Sequence, residues 1–142
     1  MLVAKLSELS ELLNNFNNLQ AILAEEKRCL AEKDFSAFND ALFKKQKALQ
    51  SITSLNKKLT TPESLDEIEK SDELTALKLT IEAQLQSCQK LNSINGKLVT
   101  LSMKSNKHLM QLMTQATGKN SVTYDQKGIL KGGQLLGRDI QA

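Results

Sequence analysis

The sequence predicts an all-α fold, in which an elongated antiparallel helical hairpin is followed by a long third helix. The first observation is composition: the 142 residues include one Pro, six Gly and no Trp, and aromatic residues make up only 4%. Sandwiches and barrels need β-branched and aromatic runs with frequent turn residues, so this composition argues against them. The second observation is that leucines recur every seven residues, which is the spacing of helices packed along a shared seam.

The first helix is predicted from about Leu2 to about Glu32. Its apolar residues fall on one face, at steps of seven with further apolar residues at steps of three and four between them. The residues that define the repeat are Leu2, Leu9, Phe16, Leu23 and Leu30. A stripe of this length has to be buried against a partner helix. The acidic pair Glu25-Glu26 is expected on the solvated face.

The second helix is predicted to begin after a turn at Lys33-Asp34, with Asp34 as its N-cap. The same apolar spacing then runs from Phe35 to Leu59. Three lysines are expected on its outer face, Lys44, Lys45 and Lys47. A turn this short makes the first two helices antiparallel neighbours.

A third helix is predicted from about Ser71 to Ala116, after a break around Pro62, which either ends one helix or opens another. Ser71 is its expected N-cap, followed by acidic residues in the first turn. At about 1.5 Å per residue this helix spans about 69 Å, against about 46 Å for the first. Unless it bends back, its last residues, from about Leu98 onward, overhang the hairpin.

The predicted overhang is the candidate binding surface. An apolar helix face without an intramolecular partner is an interaction site or an oligomer seam, and methionines make such a face adaptable. The predicted binding residues are Leu98, Leu101, Met103, Leu109, Met110, Leu112 and Met113. Ordinary core packing is the alternative, and it is the preferred interpretation for Leu91 and for Leu98.

The chain divides into a helical bundle over residues 1–116 and a tail over residues 117–142. Five of the six glycines lie in the tail and hydrophobic periodicity stops there, so we expect it to be flexible by itself. Its one ordered-looking piece contains Val122 and Tyr124. Tyr124 is a candidate anchor for a partner, because its ring buries area at little entropy cost. Packing back on the bundle, or no role, is the alternative.

Several function classes are disfavoured. The 19 basic and 16 acidic residues are interspersed and leave a net charge of +3, which does not predict a nucleic-acid surface. No apolar run is long enough to insert in a membrane, and the N-terminus does not resemble a signal peptide. Cys29 and Cys88 are expected to be buried, reduced side chains rather than a disulfide or metal ligands.

No catalytic constellation, metal site or cofactor motif is found, so the protein is not predicted to be an enzyme and no catalytic residue is assigned. His108 is the only histidine. Phosphotransfer domains also carry a histidine on a helical bundle, but the lysine and glycine that follow it in those domains are missing here. A lone histidine is more often a surface or interfacial residue.

The chain resembles the FlgN-type flagellar export chaperones over nearly its whole length. The features that carry the resemblance are the leucine-rich hairpin, an Asn-x-x-Asn-Gly step from Asn92 to Gly96, and a Thr-Tyr-Asp-x-x-Gly element from Thr123 to Gly128. The loop around Pro62 and the end after Gly128 match nothing in that pattern.

The resemblance implies a cytoplasmic, non-enzymatic chaperone without cofactors. Its partners would be hook-associated proteins of the hook–filament junction, bound through their C-terminal helical segments, and the flagellar type III export gate. Client binding would map to the helix from about Leu98 to Ala116 and the tail, with Val122 and Tyr124 as contacts to client or gate. A homodimer is also considered for the chain without its client.

Two alternatives to the chaperone hypothesis stay open. In the first, the protein is a coiled-coil homodimeric adaptor or structural protein, and the overhang is its dimer seam. In the second and weaker alternative it is a histidine phosphotransfer module that uses His108. A concentration-dependent homodimer would favour the first, and loss of function on replacing His108 would favour the second.

Overall fold

A computed structural model of the chain describes residues 2–119 and the pairs 134–135 and 138–139, and it describes side-chain surroundings for residues 2–114. The helices are α1 (Leu2–Glu32), α2 (Phe35–Leu59), α3 (Pro62–Glu69), α4 (Asp72–Ser105) and α5 (Lys107–Lys119). Two short strands, β1 (Gln134–Leu135) and β2 (Arg138–Asp139), pair antiparallel. The prediction of an all-α body is confirmed.

The turn between α1 and α2 closes by backbone hydrogen bonds and a side-chain cap. The Asp34 N–H donates to the Cys29 carbonyl at 2.9 Å, and the Lys33 N–H donates to the Leu30 carbonyl at 3.3 Å. This pair of bonds is a Schellman motif, and it places Lys33 in the left-handed region with φ of 58°. The Asp34 carboxylate then accepts from the Ala37 N–H at 3.1 Å, which confirms the predicted cap.

The connection from α2 to α4 contains the short helix α3. Pro62 opens this helix rather than only ending α2, because it occupies the first turn, where its missing N–H has no cost. The Thr61 side chain caps α3 by accepting from the Ser64 N–H at 3.2 Å. The Ser71 hydroxyl caps α4 by accepting from the Leu74 N–H at 3.3 Å, as predicted.

Helix α1 lies between α2 and α4 and packs against both. Two contacts between α1 and α4 share one register: the Cys88 thiol lies 3.5 Å from the Phe16 carbonyl, and the Asn95 amide donates to the Leu23 carbonyl at 2.8 Å. Both pairs are separated by 72 residues, so α1 and α4 run parallel and α2 runs antiparallel to them. The same offset places Glu32, where α1 ends, level with residue 104.

The prediction of one continuous third helix with an overhang is wrong. Helix α4 ends at Ser105, level with the end of α1, and Asn106 leaves the helix with φ of −144° and ψ of 107°. The Asn106 side chain accepts from the Leu109 N–H at 2.9 Å and so caps a separate helix, α5. Breaking the helix here lets α5 bury Leu109 and Met113 instead of exposing them beyond the hairpin.

The buried apolar side chains form two clusters. The lower cluster spans most of α1, the second half of α2, α3 and the first half of α4, and it includes Leu12, Phe16, Ile52, Ile68, Ile81 and Cys88. The upper cluster lies at the end where α1 turns into α2. It consists of Cys29, Leu30, Phe38, Leu42, Val99, Leu109 and Met113.

A layer of buried polar side chains lies between the two clusters, and we call it the polar layer. It consists of Glu26, Lys45, Asn92 and Asn95. On each of the three helices, these residues have lower-cluster residues on one side in the chain and upper-cluster residues on the other. The expectation that Glu26 and Lys45 face solvent is therefore wrong, because both are buried where α1, α2 and α4 meet.

Candidate functional site

The upper cluster brings one face of α5 onto the ends of the other helices. Leu109 and Met113, one helical turn apart, are buried among apolar side chains of α1, α2 and α4. The receiving side chains are Cys29, Leu30, Phe38, Leu42 and Val99, and we call this set the seat. Leu98 and Met103 pack against its margin.

The predicted binding residues do not form one continuous exposed face. Leu109 and Met113 are buried, whereas Leu101 is 62% exposed and Met110 is 48% exposed. The other three are half-buried, namely Leu98, Met103 and Leu112. Val122 and Tyr124 lie outside the described residues.

Two exposed apolar side chains with a half-buried one between them lie along the C-terminal half of α4, and we call this row the outer stripe. It consists of Ile94, Leu98 and Leu101, at steps of four and three residues, which place them on one helix face. Ile94 was not among the predicted binding residues, although its position four residues before Leu98 is the signal that could have found it. Met110 on α5 is exposed as well.

Helix α5 has few sources of stability of its own. It has 13 residues, and isolated helices of this length are marginal in water. Its first turn contains no acidic residue but does contain Lys107, whose positive charge opposes the helix dipole. Within residues 106–114, whose side chains the structure describes, the Asn106 cap and the burial of Leu109 and Met113 are the main contacts that hold α5 in place.

The polar layer links α1, α2 and α4 through directional contacts. The Lys45 ammonium lies 3.5 Å from the Glu26 carboxylate and also donates to the Asn92 side-chain carbonyl. The Asn95 amide donates to the Leu23 carbonyl and, at 3.2 Å, to the Glu26 carboxylate. Sliding any one of these helices along its axis would leave buried polar atoms without these bonds, which is costly.

Burial weakens the affinity of the Lys45 side chain for its proton. It lowers the pKa of Lys45 to about 8, because the charged ammonium loses its hydration, and the Glu26 carboxylate opposes this fall only in part. The layer therefore holds a cation whose charge is lost at a pH well below that of an ordinary lysine.

The two cysteines lie in different clusters, so the accessibility of each thiol can be measured separately. Cys29 belongs to the upper cluster and Cys88 to the lower, and both are buried, as predicted, with free thiols. Burial raises the pKa of Cys88 to about 12. Burial also raises the pKa of Cys29, with a further contribution from the Glu25 carboxylate. Both thiols are thus poor nucleophiles in the folded protein.

The remaining site hypotheses receive no geometric support in the described part of the chain. Among those residues, no group of three His, Cys, Asp or Glu side chains could hold a metal ion. His108 is exposed in the first turn of α5. Within the same residues, no helix has both the length and the apolar character needed to cross a membrane.

Comparison with known proteins identifies one relationship. A family model described as FlgN protein matches residues 1–132 of the chain. No curated protein matches the chain, and no solved structure matches it. The match covers the five helices that the structure describes and the Asn-x-x-Asn-Gly step.

Proposed function

Because the chain belongs to the FlgN family, a family of flagellar export chaperones, we propose that it holds hook-associated proteins before export. In this proposal it binds their C-terminal helical segments in the cytoplasm, prevents premature assembly at the hook–filament junction, and delivers them to the flagellar type III export gate. Holding a client in this way uses binding energy alone and requires neither catalysis nor a cofactor.

The observation that carries the proposal is the outer stripe. Only three of the 22 leucines in residues 2–114 are exposed, and Leu101 is the most exposed of them at 62%. Ile94 is exposed on the same face. An apolar helical row that water covers is suited to a partner helix with a matching stripe, as in helix-in-groove recognition. Met110 adds a flexible, polarizable side chain that can adapt to more than one client.

The rest of the helical body supports this surface. We propose that α1, α2 and α4 act as a three-helix bundle with coiled-coil-like packing, and that the polar layer fixes the register of the helices that present the outer stripe. A client segment with its own exposed apolar stripe is prone to assemble or aggregate. When the chaperone covers that stripe, the client can no longer assemble or aggregate through it.

The tail supplies a second contact in the proposal. Val122 and Tyr124, which lie outside the described residues, are assigned to client or gate. A segment that orders only on binding loses part of its affinity to the entropy of ordering, and this keeps a complex releasable.

Binding by the full chain to the C-terminal helical segment of a hook-associated protein tests the proposal. We expect a 1:1 complex by calorimetry and light scattering. Leu101→Asp should weaken it by about tenfold or more, because the substitution places a charge in an apolar contact. The matched control is Leu79→Asp. Leu79 lies on the same helix, is 58% exposed and is about 33 Å away along the helix axis, so this substitution should leave binding unchanged.

The proposal fails if the unmodified chain binds no such segment. It also fails if both substitutions weaken binding equally, which would mean that the outer stripe is not the contact. A concentration-dependent homodimer that Leu101→Asp disrupts, in the absence of any client complex, would favour the adaptor alternative.

A further inference from the structure

We propose that α5 is a built-in occupant of the seat, and that an amphipathic client helix displaces it and takes its place. This inference deepens the proposed function and rests on it, since it names where and how a client helix is received. It adds a second, covered surface to the exposed outer stripe. The occupant of that surface would be a helix with two apolar side chains one turn apart.

The first argument is that the structure shows what fits the seat. Leu109 and Met113 are spaced by four residues and pack in one cluster with Phe38, Leu42 and Val99. A helix of this chain thus demonstrates the chemistry that the seat accepts: unbranched or γ-branched apolar side chains at i and i+4. A client helix with this spacing would present the same pair.

The second argument is that α5 can leave without unfolding the rest of the molecule. Asn106 is already non-helical, so it can serve as the hinge between α4 and α5. In the part of α5 whose side chains are described, up to residue 114, the helix is held by its cap and two buried side chains, and Lys107 places positive charge at its N-terminal end. Segments with so few buried contacts open at a lower free energy than the core does.

The third argument is the polar layer, which separates the seat from the lower cluster. Glu26, Lys45, Asn92 and Asn95 keep α1, α2 and α4 in register directly below the seat. The lower cluster therefore stays packed while the upper cluster exchanges one helix for another. This assigns a role to the Asn-x-x-Asn step: its two asparagines form the floor of the exchangeable site.

The test uses two substitutions that should raise the affinity for the client segment if α5 is displaced, and lower it if α5 contacts the client. In the full chain, Leu109→Ala with Met113→Ala weakens the hold on α5. If α5 is a displaceable occupant, these substitutions should increase affinity for the client segment by about tenfold or more, because less binding energy is spent on opening the seat. If Leu109 and Met113 touch the client directly, the same substitutions must decrease affinity. A decrease or no change overturns the inference.

A matched control and a second probe separate this inference from the proposed function. Met110→Ala removes an exposed side chain from the same helix and should not increase affinity. A labelled synthetic peptide of residues 106–119 should bind the Leu109→Ala, Met113→Ala chain and compete with the client segment. If the peptide binds but no client segment does, the seat is real and the proposed function fails. If the peptide does not bind, the seat is not an exchangeable site.

Hydrogen exchange on the unmodified chain keeps the inference testable even if the double variant does not fold. Adding the client segment should speed exchange of the α5 amides from Leu109 onward and preserve slow exchange from Phe38 to Leu42. Protection of α5 by the client would overturn displacement.

Discussion

Removing the charged pair of the polar layer should abolish a specific pH dependence of stability. The perturbation is Lys45→Met combined with Glu26→Gln, so that neither charge is left buried without its partner. In the folded protein the pKa of Lys45 is about 8, below the ordinary lysine value of 10.5. Between these two values the unfolded chain holds a proton that the folded protein has released, so the free energy of unfolding rises with pH.

The magnitude follows from the two pKa values of Lys45. At about 1.36 kcal/mol per pKa unit, the lowered pKa corresponds to a penalty of about 3 kcal/mol below pH 8, which fades as the pH approaches 10.5. Relative to the double variant, the unmodified protein should therefore gain about 2–3 kcal/mol between pH 7 and pH 10. Cys88 acts in the opposite direction, because its pKa is raised to about 12, but it is present in both proteins and cancels in the difference.

Urea unfolding of both proteins at pH 7, 8, 9 and 10, under reducing conditions, measures this difference. Leu101→Ala is a suitable control, since it changes an exposed side chain and should follow the unmodified protein at every pH. A difference that stays constant or shrinks as the pH rises would refute the reasoning. It would mean that Lys45 keeps an ordinary affinity for its proton despite its burial.

Three further predictions concern the turn, the two clusters and the hinge. Lys33→Gly should raise the free energy of unfolding by about 0.5–1 kcal/mol, because Lys33 has a left-handed φ that glycine adopts without strain. As a control, Lys27→Gly should lower the free energy of unfolding by about 1 kcal/mol, because Lys27 lies inside α1. Cys29 should react with iodoacetamide about tenfold or more faster than Cys88, because the proposed release of α5 opens the upper cluster and leaves the lower one packed. Equal rates would show that the two clusters open together. Asn106→Ala should reduce hydrogen-exchange protection of α5 about fivefold by removing its cap, and Asn106→Asp should not.

Sequence patterns predicted those parts of the fold that local chemistry controls. The seven-residue apolar repeat predicted α1 from Leu2 to Glu32, and those are the bounds observed. The caps at Asp34 and Ser71 were predicted because a short polar side chain before an apolar run has a local hydrogen-bonding role. Each of these features depends on residues close together in the chain.

The features that sequence patterns missed depend on contacts between distant residues. The polar run from Lys104 to His108 and the cap-forming Asn106 are a local signal for a break, but polar residues also occur inside continuous helices. Burial of Leu109 and Met113 on another part of the chain decides the outcome. Glu26 and Lys45 were expected in solvent because isolated charges usually are. Their burial makes sense only once each is known to face the other across two helices.

For the candidate site, sequence patterns indicated a region of the chain but not how its side chains are arranged. The predicted binding residues lie on the C-terminal part of α4 and on α5. Which of them are accessible could not follow from periodicity, because periodicity gives the face of a helix and not what covers that face. Leu101 and Leu109 illustrate this, since Leu101 is open to water while Leu109 is completely enclosed.

The position of the polar layer limits the length of helix that the seat can hold. From Glu26 to the end of α1 is six residues, about 9 Å, and from Lys45 back to the start of α2 is ten residues, about 15 Å. An apolar wall this short accommodates about two turns of helix, and a third turn would meet a buried charge. Under the proposed exchange of α5 for a client helix, a wall this short would limit the apolar area that the client can bury, and the client could then dissociate quickly.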